Sequence, residues 1–179
     1  MPYARLYTLA EIKGMLQIYK NNYAIHGVNA AHKFVRATHA AHADVHSGAD
    51  FLALQARVNT PGEPRTTGTY WNDSDQANAT LEVLNSPAGQ LLLATLDNAA
   101  LPAQQKRAAI DAPLVGNYKV AEAVDRSNAP GTAGHLARAA AARVGAGSVQ
   151  TVRFALRGFV LAVPGVGGQL QIQTSYPSG

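Results

Sequence analysis

Along the first half of the chain the apolar positions recur at helical spacing. Ile12, Met15, Leu16 and Tyr19 fall three and four apart, which gathers them on one helix face. They follow Thr8-Leu9-Ala10-Glu11, whose hydroxyl and carboxylate stand at capping-box spacing. The pattern predicts a helix over residues 9–25, stopped by Gly27. Residues 29–45 contain no Pro or Gly and are rich in alanine, so they read as a second helix closed by Gly48. Residues 50–58 read as a short third helix, and Thr60-Pro61-Gly62-Glu63-Pro64 as a loop. Beyond Asn72-Asp73-Ser74-Asp75, a carboxylate or hydroxyl cap precedes Ala77, Leu81 and Leu84, and Ser86-Pro87 opens a further helix through Leu96. The first half is expected to be helical.

From Leu114 the texture changes. Residues 115–124 read as a strand, Arg126-Ser127-Asn128-Ala129-Pro130-Gly131 as a loop, and 135–144 stay open between helix and sheet. Residues 149–163 alternate at Val152, Phe154 and Leu156 and then become continuously apolar. Pro164-Gly165-Val166-Gly167-Gly168 then turns the chain into a closing strand, which predicts an antiparallel hairpin. In that closing strand Thr174 and Tyr176 are two apart, so both hydroxyls point to one face. The expected class is α+β, with N-terminal helices packed on a curved antiparallel sheet built from the second half.

Composition narrows the chemistry. With 179 residues and no cysteine, the chain can bury one core but holds no disulfide, no thiolate metal site and no cysteine nucleophile. No apolar run is long enough to span a bilayer and no basic-then-apolar signal opens the chain, so no membrane anchor is expected. The net charge of +4 favours an anionic partner such as nucleic acid. There is no phosphate-cradling Gly-x-x-x-x-Gly-Lys, no dinucleotide fingerprint and no Gly-x-Ser-x-Gly elbow.

Five of the six histidines (His26, His32, His39, His42 and His46) lie in the first quarter of the chain. His39, His42 and His46 share a helix face, but no His-Glu-x-x-His is present and Asp44 falls off that face, so no metal and no other cofactor is expected. General acid or base work is the alternative, because histidine titrates near neutrality. Arg57 closes the apolar run Phe51-Leu52-Ala53-Leu54-Gln55-Ala56, where the helix dipole alone would account for a cation.

The segment from Val45-His46-Ser47-Gly48 to Leu54-Gln55-Ala56-Arg57-Val58 resembles the His-Val-Gly…Leu-x-x-Arg-Leu stretch of bacterial ribonuclease A-like toxin domains, which are carried at the C-termini of contact-dependent inhibition and other polymorphic toxins. Gly68-Thr69-Tyr70-Trp71 with Ala77 and Leu84-Asn85, then Val152-Arg153-Phe154-Ala155-Leu156-Arg157, then Ile172-Gln173-Thr174-Ser175-Tyr176-Pro177 resemble later segments in the family's order. The resemblance covers residues 39–177. It implies a ribonuclease A-like domain over 39–179, without disulfides, preceded by residues 1–38 as a helical extension or the first part of the fold. Carried over residue by residue, it makes His46, Arg57, Thr174 and Tyr176 the candidate catalytic set. His42 is an additional candidate, because His39-Ala40-Ala41-His42 stands where the family has Gly-Gly-His.

The resemblance implies metal-independent cleavage of RNA through its 2′-hydroxyl to a 2′,3′-cyclic phosphate, in interbacterial competition. It also implies a monomer delivered into the cytoplasm of a target cell, and a cognate immunity protein as partner. The substrate could be transfer RNA or another RNA. Two alternatives stand beside it: a non-catalytic binding protein, and a toxin with another activity such as ADP-ribosyl transfer. The second lacks a Glu-x-Glu pair, since Glu82 and Glu122 stand alone.

Overall fold

The computed structural model describes residues 2–25, 66–125 and 148–178. Within them the order is α1 (Leu9–Ile25), β1 (Thr66–Tyr70), α2 (Asp73–Asn85), α3 (Pro87–Leu96), β2 (Ala108–Pro113), β3 (Lys119–Asp125), β4 (Ser148–Phe154), β5 (Arg157–Pro164) and β6 (Leu170–Ser178). The class is α+β. The expected helices over 29–45 and 50–58 and the open segment 135–144 lie outside the described residues.

The helix starts follow their local chemistry. Thr8 and Glu11 form the expected capping box: the Thr8 amide and hydroxyl donate to Glu11 Oε2 at 2.8 Å each, and the Glu11 amide reaches Thr8 Oγ1 at 3.3 Å. At α2 the cap is an amide oxygen rather than a carboxylate or hydroxyl, with Asn72 Oδ1 accepting from the Asp75 amide at 2.8 Å. Ser86 ends α2 and starts α3. Its hydroxyl donates to the Val83 carbonyl at 2.7 Å and accepts from the Gly89 amide at 3.0 Å, while Pro87 fits the first turn, which needs no N–H.

The strands form two antiparallel three-stranded sheets, β1-β3-β4 and β2-β5-β6. Edge strands β1 and β6 lie against each other. Helices packed on an antiparallel sheet are present as expected, with the strands divided between two sheets and β1 coming from the half expected to be helical. The run over 149–163 is divided at Ala155-Leu156, where the chain passes from one sheet to the other. There the Ala155 amide donates to the Tyr118 carbonyl at 2.8 Å and the Leu156 carbonyl accepts from Leu114 at 2.9 Å. The expected strand over 115–124 begins only at Lys119. Ahead of it, Glu82 of α2 holds the turn, accepting from the Val115 amide, the Gly116 amide at 3.2 Å and the Tyr118 hydroxyl at 2.8 Å.

The hairpin β5–β6 is present, turned by Gly167 and Gly168 at φ 69° and 74°, a region that favours glycine. The three described α-helices cover one face of β2-β5-β6. Ile12 and Leu16 of α1, Val83 and Leu84 of α2, and Leu93 and Leu96 of α3 share a core with Ile110, Val160, Leu170 and Ile172. Alternation along β2 and β5 puts Ala108, Ile110, Ala112 and Gly158, Val160, Ala162 toward the helices. A smaller cluster of Tyr70, Ala79, Val120 and Ala155 ties α2 to the other sheet. No helix among the described residues is long and apolar enough to cross a membrane.

Candidate functional site

Strand β6 faces two ways. Ser175 pairs with Val160, on the helix side, whereas Thr174 pairs with Leu161 and Tyr176 with Phe159, on the side turned away from the helices. A register shift between Leu161 and Ala162 leaves Gln173 as the extra residue of a bulge, immediately before Thr174. The two hydroxyl residues predicted to share a face do so.

What holds them there is a buried polar contact with α2. Gln76, Thr80 and Ser175 are fully buried. Gln76 Nε2 donates to the Ser175 carbonyl at 3.0 Å, Thr80 Oγ1 donates to the Gln76 carbonyl at 2.6 Å, and Thr80 Oγ1 and Ser175 Oγ lie 2.7 Å apart. A threonine hydroxyl has one hydrogen, and the Gln76 carbonyl can only accept it, so Ser175 is the donor to Thr80. This arrangement fixes β6 against the helix and presents Thr174 and Tyr176 on the opposite face. The sequence reading missed it; its signal is two polar residues, Gln76 and Thr80, four apart within the buried stripe of α2.

On the outward face Thr174 is nevertheless buried, 5% exposed, and among the described residues its Oγ1 has no hydrogen-bond partner. A buried hydroxyl in that state costs about 1–3 kcal/mol. Tyr176 stacks on Phe159, with ring centroids 4.9 Å apart and planes inclined by 28°. Burial first, and the Asp111 carboxylate second, push its phenol above the ordinary value, so it keeps its proton and can donate. Asp111 sits opposite Phe159 on the same face. Its charge is engaged by Arg157, with Nε 3.0 Å from Oδ1, and by the Ser178 hydroxyl at 3.0 Å.

Of the sequence-derived candidates, the described structure thus brings together Thr174 and Tyr176. His46, Arg57 and His42 lie outside the described residues, as do the other histidines. The described residues hold no group of three His, Asp or Glu side chains that could take a metal. A cavity of about 320 Å³ beside the start of α1, lined by Tyr3, Arg5 and Tyr7 among other described residues, includes neither Thr174 nor Tyr176 among them.

No family model matches this chain, and no curated protein does. Among solved structures it is similar to a CdiA-CT/CdiI complex from Y. kristensenii 33638, at 15% identity and a TM-score of 0.49, over 76% of this chain and 96% of that one. A likeness of this degree carries no residue role with it.

Proposed function

We propose that this protein is a metal-independent endoribonuclease toxin that cleaves RNA by attack of the 2′-hydroxyl on the adjacent phosphate, leaving a 2′,3′-cyclic end. The observation that carries the reading is the pair of hydroxyls on the outward face of β6. One is buried without a partner among the described residues, the other is held protonated, and both are suited to donate to an oxyanion. The resemblance of the segments bearing His46 and Arg57 to ribonuclease A-like toxin domains supplies the rest of the set.

In this reaction the 2′-oxygen bonds to phosphorus as its proton leaves, and the bond from phosphorus to the 5′-oxygen breaks as that oxygen gains a proton. His46 is one of the two proton carriers that this step needs, as base or acid, because imidazole exchanges protons near neutrality. Arg57 pairs with the nonbridging oxygens in fork geometry, and Thr174 and Tyr176 donate to the charge that grows on them. Tyr176 acts as a donor and not as a base, since its phenol is displaced upward. The chain would act in the cytoplasm of a competing bacterium, with a cognate immunity protein covering the face in the producer.

The reading is tested with an oligonucleotide that carries a single ribonucleotide in a deoxyribonucleotide strand. Cleavage confined to the 3′ side of that ribonucleotide is expected. Cleavage of the all-deoxy strand would overturn it.

A further inference from the structure

The outward face that carries Thr174 and Tyr176 continues past Thr174 to a polar cleft of about 440 Å³. Its lining includes Gln104, Lys106 and Arg107, which lead into β2, and Val163, Gln171 and Gln173 from the β5–β6 hairpin. Val163 pairs with Gln171, and the next outward rung is Leu161 with Thr174. Two residues along a strand advance about 7 Å, so the cleft begins one such step from Thr174 and two from Tyr176. The bulge residue Gln173 joins the two places, belonging to the cleft while its neighbour is Thr174.

Charge along this face is unevenly compensated. At the Tyr176 end, Asp111 and Arg157 neutralise each other. At the cleft end two cations stand together, and among the described residues no carboxylate contributes to the lining and neither Lys106 nor Arg107 forms an ion pair. The amides of Gln104, Gln171 and Gln173 bring both donors and acceptors.

We infer that this cleft is a subsite for the phosphodiester backbone of the RNA strand next to the cleaved bond, with Lys106 and Arg107 holding a neighbouring phosphate and the glutamines contacting its ribose or base. The inference rests on the ribonuclease reading for the identity of the strand. Arginine matches phosphate oxygens as a fork and lysine acts as a point charge, so the pair needs no bound metal to hold an anion. Glutamine amides suit the 2′-hydroxyl, which is both donor and acceptor.

The test uses the full chain and a short fluorescein-labelled 2′-O-methyl oligoribonucleotide, which binds but lacks the attacking hydroxyl. Anisotropy is followed across salt concentrations for the wild type, for Lys106→Ala/Arg107→Ala, and for Lys13→Ala, a cation on a helix packed against the other face. Thermal unfolding checks that each variant is folded. The double variant should bind more weakly, with the slope of log K against log salt reduced by about 0.7 for one lost phosphate contact on a single strand. Lys13→Ala should keep the wild-type slope. Equal affinity and slope in the double variant and the wild type would overturn the subsite, even if RNA is cleaved. The expected slope change in a protein that cuts no RNA would uphold the subsite and remove the ribonuclease reading alone.

Discussion

Ser175 of β6 and Thr80 of α2 meet through their hydroxyl oxygens at 2.7 Å in a fully buried position, while the residues on either side of Ser175 point to the opposite face. A helix on one side of the sheet therefore sets the placement of hydroxyls on the other. The contact is internal scaffolding for the candidate site, and it can be weakened without touching the outward face.

Thr80→Val should lower stability by about 1–3 kcal/mol, because it leaves the Ser175 hydroxyl buried without its partner. Ser175→Ala together with Thr80→Val should cost less than the sum of the two single changes, since the partners are removed together. Urea unfolding of the four proteins in the cycle measures this, and strict additivity would show that the two hydroxyls are not coupled.

Gly158 marks a second tight contact. A Cβ there would lie 2.8 Å from Val83 Cγ2 and 3.1 Å from the Tyr70 hydroxyl, so β5 approaches α2 and β1 as closely as it does only because the side chain is absent. Gly158→Ala is expected to destabilise by about 1–3 kcal/mol through overpacking. A midpoint of thermal unfolding equal to that of the wild type would contradict this packing.

The start of α1 should be acid-sensitive. The hydrogen bond from Arg5 first, and those from the Thr8 amide and hydroxyl next, lower the Glu11 carboxyl to about 2. A carboxyl depressed by folding contributes stability above its unfolded value and loses that contribution as pH falls through the folded value. Between roughly pH 4.5 and pH 2 the wild type should therefore lose stability faster than Glu11→Gln. Parallel pH profiles of the two proteins would contradict the assignment. At neutral pH Thr8→Ala should cost about 1 kcal/mol as a lost N-cap, measured by urea unfolding.

For activity, Tyr176→Phe and Thr174→Val should each reduce the cleavage rate by about 10²-fold, the usual consequence of removing one donor to a developing oxyanion. Because burial and Asp111 raise the Tyr176 phenol, the alkaline limb of the wild-type pH–rate profile should not come from this residue below pH 10. A limb below that pH that disappears in Tyr176→Phe would show tyrosine acting as a titrating acid or base instead.

Several of these relationships were legible before the structure. The capping pair at Thr8 and Glu11, the Ser86-Pro87 junction and the glycine turn before β6 are local signals, and local chemistry decided those elements. The shared face of Thr174 and Tyr176 follows from the two-residue period of a strand and needed no partner strand. Strand β2 was missed because Ala108, Ile110 and Ala112 form a weak apolar alternation interrupted by Asp111 and closed by Pro113. Strand β1 was missed because Thr66-Thr67-Gly68-Thr69-Tyr70 carries almost no apolar pattern and is held in place by pairing with β3. The break at Ala155-Leu156 and the bulge at Gln173 depend on which strand lies alongside. So does the meeting of Asp111, Phe159 and Tyr176 on one rung, because cross-strand register is a long-range property.

The most direct test of the central claim is to incubate the full chain with total RNA in excess chelator, beside His46→Ala and Tyr176→Phe, and to identify the new ends. The account predicts fragments ending in 2′,3′-cyclic phosphate from the wild type, none from His46→Ala and about 10²-fold slower cleavage by Tyr176→Phe. Intact RNA with the folded wild type, or undiminished cleavage by both variants, would contradict it.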